Sequence, residues 1–344
     1  MKKNQTIDYL FENANPIIRY RIATELANEE VDYDIGMLRY ELLQHKDAKY
    51  WMKCLKTRRS YDNIHGGYDK SLENSLGKLL QLGIKKGVSN FDKNVAKHIN
   101  WLQEVSEEES ELPHNDYFLQ TIVSSFLAKA GFTDEKNVRD FVLNRLDLLY
   151  GFAKKKNYNV FIDKVLFKDF PPAFENHKII DPLLYENDDF ALPWIYDLFA
   201  FAAYYSEFKE KIDTVINYIL NKKYQDFPEG YGVTVSFPKR FFVVGWNVWL
   251  PCFSNIDEKS PQINELLFRL NLMSPFEPTR KSKWYKNAIA HLEKFKTKKG
   301  TYIFPEEYLQ EKRNSYFINA SRMEIGEDTI ENLSTFWMMK ILNN

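Results

Sequence analysis

Cysteine is nearly absent: Cys54 and Cys252 are the only two in 344 residues. They stand far apart, without metal-ligand spacing, which speaks against a disulfide framework and a cysteine-based zinc centre. An excess of one charge sign is missing too. The net charge of −1 argues against a nucleic-acid binder held by phosphate contacts. Long apolar runs are lacking, and "DLFAFAAYY" is much too short to span a bilayer. The opening "MKKNQTIDYLFENANP" has two lysines but no apolar h-region, so no signal peptide is expected. A cytoplasmic protein without a membrane span is the expectation. Walker, G-x-G-x-x-G and G-x-S-x-G motifs are missing, as are paired histidines at ligand spacing. That disfavours nucleotide binding by those loops, a serine hydrolase elbow and a metalloprotease.

What is present is an ordinary globular balance, 44% hydrophobic and 28% charged, with an unusual 16% aromatic share from 26 Phe, 21 Tyr and 7 Trp. Large rings bury much area and also line ligand cavities, so the excess predicts a big core first and a cavity second. The length exceeds a typical single domain, yet a closed repeat fold of this size can share one core.

Nearly all of the chain reads as helix. "NPIIRYRIATELANEE" opens with Asn15 as cap and Pro16 at the first helical position, and Ile18, Ile22 and Leu26 recur every four residues. Residues 34–46 and 47–57 read as two further helices. In "YDNIHGGYDKSLENSLGKLLQLGI", residues 61–84, Leu72, Leu76, Leu79, Leu80 and Ile84 define a helical stripe. Asp69 or Ser71 is its cap, and Gly77 allows a neighbouring helix to approach closely. Amphipathic segments at 91–103, 135–153 and 208–223, and "SKWYKNAIAHLEKF", then alternate with the more apolar "YFLQTIVSSFLAKAG", "LPWIYDLFAFAAYY" and "TIENLSTFWMMKIL". Residues 226–238 and 274–278 read as long loops, with a short hairpin in "YGVTVSFPKRFFVV". Such alternation predicts helical-hairpin repeats that bury their apolar members only by stacking, as an open solenoid or as a closed ring.

The stretches "NPIIRYRIATEL", "NSLGKLLQLGI", "LPWIYDLFAFA" and "SKWYKNAIAHLEKFKTKKGTYIFP", followed by "ENLSTFWMMKIL", give the chain an alternation that resembles the α/α-toroid group. That is the fold of terpenoid cyclases, of protein prenyltransferase β subunits and of uncharacterised bacterial relatives. The resemblance rests on pattern over most of the chain, because the aromatic-glutamine repeat motif is not present in full. It implies an all-α fold, with one α/α-toroid domain over 1–344 and residues 1–57 packed on it as an N-terminal helical segment. The alternative is an open α-solenoid.

The resemblance to class II cyclases implies an Asp-x-Asp-Asp acid. The nearest match, Glu186-Asn187-Asp188-Asp189, ends correctly but begins with Glu. Asp188 is then a general acid beside a cavity, or Asp188 or Asp189 caps the helix entered at Pro193. The prenyltransferase zinc site does not carry over, since neither cysteine has an Asp two residues before it. No metal and no cofactor are expected.

His65 and His114 each sit in a polar loop just before an apolar helix. In a ring, "IHGGYD", "PHND", "YENDD" and "EGYG" would share one rim over an aromatic-lined cavity. The candidate catalytic residues are therefore Asp188, Asp189, His65 and Asp69. Tyr61, Tyr68, His114, Asp116, Tyr185, Trp194, Tyr196, Tyr231, Trp246 and Arg322 are the candidate ligand-binding residues. The basic run at 280–300 reads as an outer helix burying Trp284, Ala288, His291 and Phe295 on one face, or as a surface for an anionic partner.

The leading expectation is binding of a small apolar or isoprenoid-like ligand in the central cavity, with its transformation left open. Two alternatives stay open: a carbohydrate-active (α/α)-barrel enzyme using rim carboxylates, and a non-catalytic helical scaffold for protein partners.

Overall fold

The computed structural model of the chain describes residues 3–27, 33–56, 64–107, 113–166, 170–184, 190–236, 240–309 and 323–344. In chain order the first helices are α1 (Lys3–Asn13), α2 (Pro16–Glu25), α3 (Ile35–Gln44), α4 (Lys46–Lys56), α5 (Leu72–Gln81) and α6 (Ser89–Glu107). Then come α7 (Pro113–Lys129), α8 (Lys136–Lys154), α9 (Ile195–Ala203), α10 (Lys209–Ile219) and α11 (Lys222–Gln225). The last are α12 (Leu266–Met273), α13 (Glu277–Lys281), α14 (Lys283–Leu292), α15 (Glu306–Leu309) and α16 (Ile330–Asn343). The fold is thus mostly helical, as the periodicity predicts, with one small sheet added. No described helix is long and apolar enough to cross a membrane.

That sheet holds β1 (Phe161–Ile162), β2 (Ile179–Ile180), β3 (Gly232–Ser236) and β4 (Arg240–Val244), in that spatial order. The hairpin read from "YGVTVSFPKRFFVV" is β3–β4, in register from Gly232↔Val244 to Ser236↔Arg240. The parallel pairing of β2 with β3 and the antiparallel pairing of β1 with β2 are tertiary. Gly232 makes this join possible. Its φ is +156, and a Cβ there would lie 2.3 Å from the carbonyl oxygen of Lys178, so only glycine fits.

The chain divides into two compact units. The first holds Met1–Asn100, Lys129–Phe132 and Pro251–Asn344, and the second Trp101–Ala128 and Thr133–Leu250.

In the first unit, α1 to α4 each pack on the next helix, and α16 packs against α1, α2, α12 and α15. Asn15 caps α2 by accepting from the Ile18 N–H (2.9 Å), and its Nδ2 donates to the Ile325 carbonyl at 2.8 Å. One side chain thereby closes a helix start and ties it to the segment before α16. Every residue of α5 is buried, and so are Asn332 to Met339 of α16. α14 begins on Ser282, which accepts from the Tyr285 N–H, and it buries Trp284, Ala288 and His291 on one face. The outer-face reading of that basic stretch therefore holds for those three residues.

In the second unit α8 packs on α9 and α10. α9 is buried from Ile195 to Phe201, whereas α8 and α10 bury one face each. Arg145 of α8 and Asp197 of α9 form a buried ion pair, Nη2 to Oδ2 at 2.9 Å.

Candidate functional site

The loop at residues 64–71 folds back over the start of α5. Ser71 stands at the helix N-cap, but its Oγ turns to the loop and reaches the Gly66 and Tyr68 carbonyls at 2.9 and 2.8 Å. Asn74 Nδ2 donates to the same two carbonyls at 2.8 and 2.9 Å. These bonds present the Gly66 N–H and the His65 ring to one carboxylate. Glu73 Oε1 accepts from Gly66 N at 2.9 Å, and Glu73 Oε2 lies 2.9 Å from His65 Nδ1. The Glu73 side chain is 0% exposed and that of His65 is 20% exposed. A carboxylate accepts, so Nδ1 carries the ring proton and Nε2 is the basic nitrogen of the neutral imidazole. The first turn of a helix also favours a negative group there.

α5 carries more than this pair. Glu73, Asn74, Lys78 and Gln81 lie within an arc of roughly 140° at 3.6 residues per turn, opposite Leu72, Leu76 and Leu79. All are buried. A polar stripe on a wholly buried helix costs free energy unless its groups are satisfied. Lys78 Nζ donates to Gln81 Oε1 at 3.0 Å and to the Glu324 carbonyl at 2.7 Å. The Gln81 carbonyl accepts from Arg21 Nη1 at 2.8 Å.

A second group of candidates meets in the second unit. Trp194 packs against Phe118 (5.1 Å between ring centres) and Phe190 (5.0 Å), and Tyr196 against Phe118 (5.8 Å) and Trp246 (6.2 Å). Such separations and tilts are the favourable ones for aromatic pairs. The tyrosine hydroxyls form a relay: the Val248 N–H donates to Tyr224 Oη, Tyr224 to Tyr231 Oη, and Tyr231 to the Pro193 carbonyl at 2.6 Å. Burial, with Tyr224 beside it, pushes the Tyr231 hydroxyl well above its ordinary range. Two features stand out from this closed packing. Trp194 is 3% exposed, and its Nε1 has no hydrogen-bond partner among the described residues. Tyr231 and Trp246 hold φ at +50 and +65, rare for bulky side chains and costing about 1–3 kcal/mol each. The turn is kept by Asn247, whose Oδ1 accepts from Gly230 N at 2.8 Å and whose Nδ2 donates to the Pro228 carbonyl at 3.0 Å.

The residues read as candidates from the sequence thus fall into two groups. His65, Tyr68 and Asp69 share the loop before α5, where Asp69 accepts from the Tyr50 hydroxyl at 2.5 Å and Tyr68 is exposed. Trp194, Tyr196, Tyr231 and Trp246 gather in the second unit. Asp116 is half-buried in the first turn of α7, and His114 lies in that turn with its side chain outside the described residues. Tyr61, Tyr185, Asp188, Asp189 and Arg322 lie outside the described residues. The N-cap of α9 is Trp194, and Asp197 Oδ2 accepts the Trp194 N–H at 2.7 Å.

Sequence reasoning missed Glu73, although a signal was available: a charged residue two positions after the cap of a leucine-rich helix, in line with Asn74, Lys78 and Gln81. It also missed Arg145 with Asp197 and Arg21 with Glu25, because apolar spacing says nothing about a buried charge. Among the described residues no group of three or more His, Cys, Asp or Glu could hold a metal ion. Cys54 and Cys252 are not joined in a disulfide. No family model, no curated protein and no solved structure matches the chain.

Proposed function

We propose that the first unit carries a general acid–base centre for a small molecule, with His65 as the proton-transfer group and Glu73 as its orienting partner. The observation that supports it is the geometry of Glu73, fully buried and held by the Gly66 N–H and His65 Nδ1. A carboxylate so engaged fixes the tautomer and plane of the ring and stabilises the imidazolium that forms when Nε2 takes a proton. Glu73 serves to orient the ring, which sets this reading apart from a glycosidase with two rim carboxylates. The toroid reading keeps its place as the proposed fold family. It is supported by the alternation of buried α5, α9, α12 and α16 with the one-sided α8, α10 and α14.

The test needs no substrate. Nitrogen NMR of the His65 ring above its titration should give the Nδ1–H tautomer in the wild type and a tautomer mixture in Glu73→Gln. A thermal-shift screen of small metabolites should then find ligands that stabilise the wild type but not His65→Gln. An Nε2–H ring, or ligands indifferent to His65→Gln, would remove the proposal.

A second reading has its own support. The unpartnered Trp194 N–H beside the strained Tyr231 and Trp246 suits an apolar ligand with one acceptor, bound in the second unit. Indole NMR of Trp194 with a fatty acid or prenyl alcohol as probe checks it. A Trp194 N–H signal that no such probe shifts would dismiss it.

A further inference from the structure

A buried histidine of the first unit, apart from both candidate sites, joins three separate stretches of chain. His291 lies in the last turn of α14 and is 3% exposed. Its Nε2 stands 2.9 Å from the Tyr308 hydroxyl of α15. Its Nδ1 stands 3.4 Å from Oε1 of Glu258, in the segment leading to α12. Lys294 Nζ reaches that same oxygen at 3.1 Å. The imidazole packs edge-on against Phe295, 5.4 Å between ring centres, and Phe295 in turn meets Phe304 and Tyr308 at 6.1 and 6.0 Å.

This geometry suits a neutral ring. A carboxylate oxygen in front of Nδ1 favours the proton there, so Nε2 accepts from the Tyr308 O–H. Burial, with Glu258, Glu307 and Cys252 beside it, pushes the Tyr308 hydroxyl up, so it stays a donor. A second proton on the ring makes Nε2 a donor as well, and Tyr308 must then turn its own proton away where it is 4% exposed. The new charge would meet one carboxylate that already serves Lys294. Nor is that carboxylate bonded to the neutral ring, since Nδ1 has no hydrogen-bond partner among the described residues. Burial, chiefly, holds the His291 pKa below its ordinary 6.5; Glu258 opposes this and Lys294 adds to it.

The charged groups on the other elements packed against α14 are engaged elsewhere. On and beside α12 Arg269 pairs with Glu265 at 3.0 Å, and on α13 Lys281 pairs with Glu277. Arg280 donates to the Ser274 and Pro275 carbonyls, and Glu293 accepts from the Tyr302 hydroxyl. On α14 itself Lys283 and Lys286 are exposed.

We propose that His291 is an acid-released latch: neutral, it ties α15 to α14 through Tyr308, and once protonated it lets α15 part from the Phe295 and Phe304 rings. α15 spans only Glu306–Leu309, so its release is a local opening and not an unfolding of the unit. The sign follows from linkage. In the open form the imidazole meets water and titrates near about 6.5, above its value in the closed form. The open form therefore binds more protons below that pH, and closure weakens as the pH falls, by at most about tenfold per pH unit.

Amide hydrogen exchange of the full chain tests it at Tyr308, whose N–H donates to the Pro305 carbonyl at 3.0 Å. Its protection factor should fall at least about threefold between about pH 7 and about pH 5. The fall should track the titration of the His291 ring followed by NMR. His291→Gln, which cannot take up the proton, should abolish the fall. Lys294→Met alters only an exposed side chain, and it should raise the His291 midpoint and shrink the fall. Level protection at Tyr308 while His291 titrates would overturn the proposal. So would an equal fall in His291→Gln, or a His291 midpoint at or above the ordinary 6.5.

Discussion

Arg145 and Asp197, 52 residues apart in sequence, meet as a two-pronged ion pair, Nε to Oδ1 and Nη2 to Oδ2, both at 2.9 Å, with side-chain exposures of 2% and 1%. The guanidinium spends its other donors on the Phe190 and Leu192 carbonyls and lies 4.7 Å from the Trp194 ring centre. Burial alone would lower the Arg145 pKa, but Asp197 carries it above even its ordinary range. One charged residue of α8 thus pins the segment that leads into α9 and aims Trp194 and Tyr196.

A buried pair of this kind adds little beyond an apolar replacement, yet removing one partner strands a charge. Asp197→Asn should therefore cost about 3–5 kcal/mol in urea denaturation. The double change Arg145→Met with Asp197→Leu removes the stranded charge but leaves the Trp194 N–H and the Phe190 and Leu192 carbonyls without these partners, so it should recover only part of that loss. Equal destabilisation of the single and double variants would contradict this account.

The loop before α5 offers a sharper contrast between neighbours. Glu73→Leu leaves the Gly66 N–H buried without its acceptor and should cost about 1–3 kcal/mol. Asp69→Ala removes an exposed bond to Tyr50 and should cost less than about 1 kcal/mol. Parallel chemical denaturation of the two variants decides whether burial ranks them as stated.

Lys129 gives a pH dependence of defined sign. Its folded pKa of about 7, brought down by burial, lies below the ordinary lysine value of 10.5, so between those two values the unfolded chain binds more protons. Its contribution to stability therefore rises with pH from about 7 upward and is flat below. The rise ends near pH 10, because burial pushes the Tyr218 and Tyr231 hydroxyls up and the unfolded chain ionises first. Denaturation midpoints of the wild type should climb between about pH 7 and pH 9 relative to Lys129→Met, and parallel curves would refute it.

Gly83 and Gly67 separate conformational need from mere presence in a loop. Gly83 holds φ at +88 beneath Arg21 Cγ, whereas nothing lies within 4 Å of a Cβ placed on Gly67. Gly83→Ala should cost about 1–3 kcal/mol, and Gly67→Ala should stay within about 0.5 kcal/mol. Calorimetric melting of both variants provides the comparison.

Most helices were legible because their signals are local. Asn15 and Pro16 announce α2, leucines at helical spacing announce α5, and the turn residues around 230–240 announce the hairpin. His65 and Asp69 stood out for the same reason, as chemistry-bearing residues in a loop before an apolar helix. What stayed hidden has no local signature. Apolar periodicity marks α12 no more clearly than the irregular sequence around it, and it is silent on which charge is buried.

The sequence by itself determined where helices begin and which faces are apolar, since caps and spacing act within a few residues. Only the tertiary structure decided that Glu73 orients His65, that Asp197 holds Arg145, and that Arg21 and Lys340 hold Glu25. The physical reason is that a buried charge is set by the partner that meets it across the fold, and that partner's position is a property of packing, not of spacing.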